Sequence, residues 1–130
     1  MITDAQRPFL ATLEQHQDGD RIHVDVTIGF AGEIHRGSAE GTAEPQHRPR
    51  VVGEATLRAV ENLTGGLSEF DLSAVATSDL GPVRIALAQV RESGWSDYLI
   101  GSSLVRDGDS ATATAKAVLD AVNRRLTRLQ

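Results

Sequence analysis

The segment RDGDSATATAKAVLDAVNRR, residues 106–125, sets two aspartates around a glycine just ahead of a run with helical spacing. Turns of this kind hold hard cations when oxygen ligands recur at alternate positions and a glutamate closes the loop. After Asp109 the chain supplies Ser110, Ala111, Thr112, Ala113, Thr114, Ala115 and Lys116, and the next acid is Asp120. Two carboxylates therefore stand without the rest of a calcium loop. The same residues meet a simpler need: Gly108 makes the turn, and Asp109 or Ser110 accepts a hydrogen bond from an amide that the helix start leaves unpaired. Free amides at a helix start also attract anions, but Asp107 and Asp109 beside them repel phosphate and suit an ammonium group. The candidate ligand-binding residues are Gly101, Ser102, Asp107, Asp109 and Ser110, and an amino acid is the chemistry they fit.

Other reactive side chains form no recognisable constellation. No two of His16, His23, His35 and His47 have the i, i+4 spacing of a helical zinc site. A hairpin around Ala31-Gly32 sends His23 and His35 to opposite faces. Ser102 and Ser103 follow a glycine within a strand pattern, not in the strand-to-helix elbow of a hydrolase nucleophile. The glycine stretches TGGLSE and GFAG lack a phosphate-loop context and read as turns. No metal and no cofactor is expected, and no catalytic residue is assigned. Trp95 and Tyr98, the single tryptophan and tyrosine, flank one hairpin turn and are the candidate interface anchors.

The elements that must position these residues follow from periodicity. Residues 3–17 read as a short helix with Asp4 as cap and Phe9, Leu10 and Leu13 as its apolar stripe. RIHVDVTIGF alternates with period two, and EIHRGSAEGTA returns as a more polar strand. Residues 51–63 repeat apolar positions at helical spacing and stop at glycines. Three strands follow: EFDLSAVATS, with Phe70, Leu72, Ala74 and Ala76 on one side, then VRIALAQVRE and DYLIGSSLVR. A helix over residues 110–128 ends the chain, with Ala115, Leu119, Val122, Leu126 and Leu129 along one face. The order expected is α-β-β-α-β-β-β-α, one α+β domain over 1–130 with an N-terminal helix (3–17), a ββα unit (21–63) and a βββα unit (68–129). Its mostly antiparallel sheet carries two main helices on one face.

A repeat lies inside this order. Gly37-Ser38 and Gly101-Ser102 each sit on a strand that leads to a helix, and Leu57 and Leu119 in those helices are each followed by x-Ala-Val. The spacing points to an internal ββα duplication.

The 130 residues carry a net charge of -5 and no cysteine. The charge lacks the footprint of a general nucleic-acid binder. The missing cysteines exclude disulfides and thiolate chemistry and fit a cytoplasmic protein. The first twenty residues do not read as a secretory signal, and no apolar run is long enough to span a bilayer.

The segments GEATLRAVENL and TATAKAVLDAVNRRL, with three strands between them, resemble the C-terminal regulatory domain of 2-isopropylmalate synthases and citramalate synthases, from about Val52 onward. Gly53 matches the family's glycine at the helix start, with Leu57 where the family has alanine or another small residue. Gly101 and Asp109-Ser110 match its glycine-bearing strand and helix cap. Ala113–Ala117 and Asn123-Arg124 match its final helix. The resemblance implies a dimer-forming, leucine-binding module. The family's catalytic barrel with its metal-binding histidines has no counterpart in this chain.

Three functions follow. The first is a non-enzymatic dimerising or regulatory module, possible sensor of a small molecule such as an amino acid, pairing through an open sheet face expected to carry Val75, Ala86, Ala88 and Val90. The second is an RNA- or ribosome-associated α-β-β-β-α protein, which the aspartates at the final helix start and the single Lys116 oppose. The third is a small enzyme of undefined chemistry.

Overall fold

The structure, a computed structural model, describes residues 7–94 and 96–128. Strands β1 (Phe9–Asp18), β2 (Arg21–Phe30) and β3 (Glu33–Thr42) precede helix α1 (Arg48–Leu63). Strands β4 (Phe70–Leu80), β5 (Val83–Glu92) and β6 (Tyr98–Leu104) precede helix α2 (Ser110–Arg128). The fold is α+β, with two antiparallel three-stranded sheets ordered β1-β2-β3 and β4-β5-β6. This corrects two expectations. The strands form two sheets rather than one, and the order is β-β-β-α twice. The segment expected to be an N-terminal helix forms β1 from Phe9, while residues 3–6 of that expectation lie outside the described residues.

The misleading signal in β1 has a physical origin. Its pairing with β2 slips between Leu10 and Thr12, where an extra residue bulges out. Leu10 opposes Ile28 and Leu13 opposes Val26, both buried positions of β2. Without the bulge, residues three apart would face opposite sides of a strand; with it, they share one side and imitate a helical stripe. The same irregularity recurs between Leu72 and Ala74, where Leu72 opposes Val90 and Val75 opposes Ala88. Each unit thus repeats the other down to its bulge. Val75, expected beside Leu72's opposite face, lies on the same side as Leu72, and Ala74 and Ala76 turn away.

Each helix covers one side of its own sheet. Central strand β2 buries Ile22, Val24, Val26 and Ile28; β5 buries Ala86, Ala88 and Val90. Glycine lets the third strand and the helix meet closely: Gly37 of β3 opposes Val26 and lies against Ala55 and Ala59 of α1, while Gly101 of β6 opposes Ala88 and lies against Ala117 and Ala121 of α2. The units also interlock. Arg50 on α1 donates to the Leu72 carbonyl at 2.8 Å, the Phe70 amide donates to Glu61 at 3.2 Å, and Gly53 fits against Leu72 of β4. Arg125 of α2 and Glu92 of β5 form a largely buried ion pair at 3.0 Å. The Thr64 and Gly65 amides close α1 by donating to the carbonyls of Val60 and Asn62 at 3.0 and 3.2 Å. Among the described residues, no helix is long and apolar enough to cross a membrane.

Candidate functional site

Strand pairing fixes what each sheet presents on the side away from its helix. In the second sheet, cross-strand rows run Ser78–Ile85–Leu104, Ala76–Leu87–Ser102 and Ala74–Gln89–Ile100, with Arg91 opposite Tyr98 and Leu80 opposite Val83 beyond them. Partners in a row share a face. Leu80, Val83, Leu87, Tyr98, Ile100 and Leu104 are between 36% and 66% exposed. Aliphatic residues this exposed on adjacent strands form a contiguous patch of the kind that marks a binding surface. A hollow of about 260 Å³ lies on this sheet, with Ala74, Ala76, Leu87, Gln89 and Ile100 along its wall. Small side chains on β4 leave the hollow, and long ones on β5 and β6 form the ridge beside it.

This face reverses the side expected to be open. Ala86, Ala88 and Val90 are buried against α2, and Val83, Ile85 and Leu87 point the other way. In the second unit glycine and alanine at Ala86, Ala88 and Gly101 let α2 settle closely on this side, beside Phe70, Leu72 and Val90, and leave Leu87, Ile100 and Leu104 facing out.

A second feature lies where the two helices begin. Gln15, Pro45, Arg48, Pro49 and Val52 from the first unit and Gly108, Asp109, Ser110, Ala111 and Thr114 from the second line a cleft of about 300 Å³. Its polar groups are already engaged. Arg48 donates to the Ala43 carbonyl at 2.8 Å and to Gln17 of β1. Asp109 accepts from the Thr112 amide at 3.0 Å and from the Thr112 hydroxyl at 2.7 Å, which makes it the cap of α2. Those two bonds hold its carboxyl below the ordinary 3.8. A carboxylate with a lowered pKa stabilises the fold above its unfolded value, and the stabilisation fades as pH falls through the folded value. Asp109→Ala should lower stability by about 1 kcal/mol near neutral pH, read from urea denaturation midpoints, and the difference from the native chain should shrink in acid. An unchanged midpoint at neutral pH would remove the cap from Asp109.

The candidate ligand residues do not converge on one point. Asp107 adopts φ 55° and Gly108 φ 72° to make the turn, and Asp107 is exposed. Ser110 opens α2, and its carbonyl accepts from Thr114 at 2.8 Å. Gly101 is buried under α2, whereas the Ser102 amide donates to Asp120 of α2 at 3.0 Å. Asp109 and Ser110 line the cleft; Gly101 and Ser102 belong to β6. Of the candidate anchors, Tyr98 stands on the apolar sheet face, while Trp95 lies outside the described residues. The sequence reading missed Arg48, Pro49 and Gln15 at the cleft, because they come from a strand read as helix and from a loop. It missed Leu80, Ile100 and Leu104 on the sheet face because the bulge reversed the parity of β4 and the covered side was misassigned. Among the described residues no group of three or more His, Cys, Asp or Glu is placed to hold a metal ion. No protein-family model matches the chain, and no curated protein matches it.

Proposed function

We propose that the chain is a non-enzymatic dimerising and regulatory module whose second sheet packs face to face on the same sheet of a second copy. The observation that carries this reading is the exposed aliphatic ridge of Leu87, Ile100 and Leu104 beside the alanine hollow of Ala74 and Ala76. A two-fold axis lays the ridge of each copy over the hollow of the other, so one patch serves both partners. Packed sheets keep their strands within about 30° of parallel, which suits two such ribbons. The cleft between the helix starts supports an effector of amino-acid size, in keeping with the resemblance to 2-isopropylmalate synthase regulatory domains. Arg48 and Asp109 stand on its two sides, and a zwitterion would share them with the intramolecular partners they already hold.

Light scattering after gel filtration should give twice the 13.9 kDa of one chain. Ile100→Arg, which copies the arginine at the equivalent place in the first sheet, should give a folded monomer. A wild-type mass of one chain across micromolar concentrations overturns the reading.

A further inference from the structure

The outer face of the first sheet is the same surface built with other residues. Its rows are His16–His23–Glu40, Glu14–Asp25–Ser38 and Thr12–Thr27–Arg36. By pairing, His23, Asp25 and Glu40 occupy the places of Ile85, Leu87 and Leu104, so the strands do not need polar groups there. His23 Nδ1 lies 3.1 Å from Glu40 Oε1, and its Nε2 lies 3.2 Å from Asp25 Oδ2. Ser38 donates its hydroxyl to the other Asp25 oxygen.

We infer that His23, Asp25 and Glu40 form a proton-operated clamp that ties β2 to β3 across this face. An imidazole satisfies two carboxylates only when both ring nitrogens carry hydrogen. When the ring gives its proton to solvent, one nitrogen turns a lone pair toward a carboxylate and that contact is lost. The geometry selects which. Asp25 is the less exposed of the two and is held by Ser38, whereas Glu40 is 62% exposed. The neutral ring keeps donating from Nε2 to Asp25, and Glu40 swings into solvent. The face then gains one negative charge and β3 loses a side-chain tie to β2.

The other charged and titratable groups on this face are Glu14, His16 and Asp18 on β1, Arg21 on β2 and Arg36 on β3, with Thr42 beside Arg21; no helix covers it. His16 lies 3.8 Å from Glu14. The two carboxylate hydrogen bonds raise His23 above the ordinary 6.5, with Glu40 the larger contributor, and Asp25 is lowered, chiefly by the Ser38 hydroxyl. A raised histidine stabilises below its unfolded pKa and stops doing so as pH rises through its folded one; a lowered aspartate does the reverse in acid. The clamp is therefore closed from the acid range, above Asp25's titration, up to that of His23.

The test is a side-chain NMR titration of the full chain. Long-range proton–nitrogen spectra should show both His23 nitrogens protonated at pH 6. The midpoint should lie above 6.5, and the Glu40 methylene signals should move with the same midpoint. Glu40→Gln and Asp25→Asn should each lower that midpoint, the first more. A midpoint at or below 6.5 overturns the clamp, as does one that either substitution leaves in place, or Glu40 signals that do not follow it. The clamp does not rest on dimer formation, and a monomer would report it equally well.

Discussion

Gly101→Ala should destabilise the fold strongly, and Gly37→Ala should do the same in the first unit. A Cβ on Gly101 would stand 2.9 Å from Ala121 Cα and closer still to Ala117 O and Ala121 N of α2. On Gly37 it would stand 2.7 Å from the Arg58 carbonyl carbon and closer still to Ala59 N and Ala55 O of α1. These neighbours are helix backbone and cannot rotate away; the whole helix would have to lift from its sheet. Overpacking a core usually costs about 1–3 kcal/mol, and clashes with backbone belong at or beyond the upper end. A domain of this size holds about 5–15 kcal/mol in all. Either substitution should lower the melting temperature by roughly 10 °C or more, and the double variant should not fold. Gly29→Ala is the control. Its Cβ would lie 2.5 Å from Phe9 Cζ, but Phe9 is an exposed side chain that can turn aside. The same chemical change there should cost about 1 kcal/mol or less. Circular dichroism melts decide the matter: a Gly101→Ala chain melting within about 2 °C of wild type would mean that α2 does not rest on β6 at this point.

The same two glycines show how much of the fold was legible. Gly37-Ser38 and Gly101-Ser102 stand at matching places in the two units, because a close helix–strand approach demands a residue without Cβ wherever it recurs, although the unit that repeats is β-β-β-α and not the ββα expected. The helices over 51–63 and 110–128 and the five strands after residue 20 were legible from period alone. What the sequence concealed came from one device used twice. A bulge converts period two into a spacing of three, so Leu10 and Leu13 imitated a helix and Val75 was assigned to the wrong side. With β1 misread, the twofold β-β-β-α order was hidden, and so was the division into two sheets. The site suffered in turn, since the cleft takes Gln15 from β1 and the exposed apolar sheet face takes Ala74 and Ala76 from beyond the second bulge.

Asp107 and Asp109 show a different kind of limit. Their spacing was read correctly as a helix start, and Asp109 caps α2 through Thr112. The cleft beside them depends on the start of α1 lying next to the start of α2, a consequence of the interlocked units that no local stretch encodes. Arg48, on the α1 side of the cleft, is held within the first unit by its bonds to Ala43 and Gln17.

Exchanging the outer faces of the two sheets should move the proposed association surface with them. Ile85→His, Leu87→Asp and Leu104→Glu give the second sheet the residues that His23, Asp25 and Glu40 supply in the first. The paired positions match row for row, and the three wild-type side chains point away from the core, so the variant should fold with an unchanged circular dichroism spectrum. It should not dimerise. Burying a leucine or isoleucine contributes about 1.5–3 kcal/mol, and each substitution acts in both copies. Even with partial burial the loss should exceed about 4 kcal/mol, or roughly 10³-fold in the dissociation constant. The converse variant, His23→Ile, Asp25→Leu and Glu40→Leu, gives each chain two oily faces. Two isologous contacts on one chain cannot both close within a dimer, so it should form species larger than dimers, read by sedimentation velocity over a concentration series. If the first variant stays dimeric while remaining folded, the association surface lies elsewhere on the molecule. If the converse variant leaves the mass unchanged, aliphatic side chains on an open sheet are not what drives assembly of this fold.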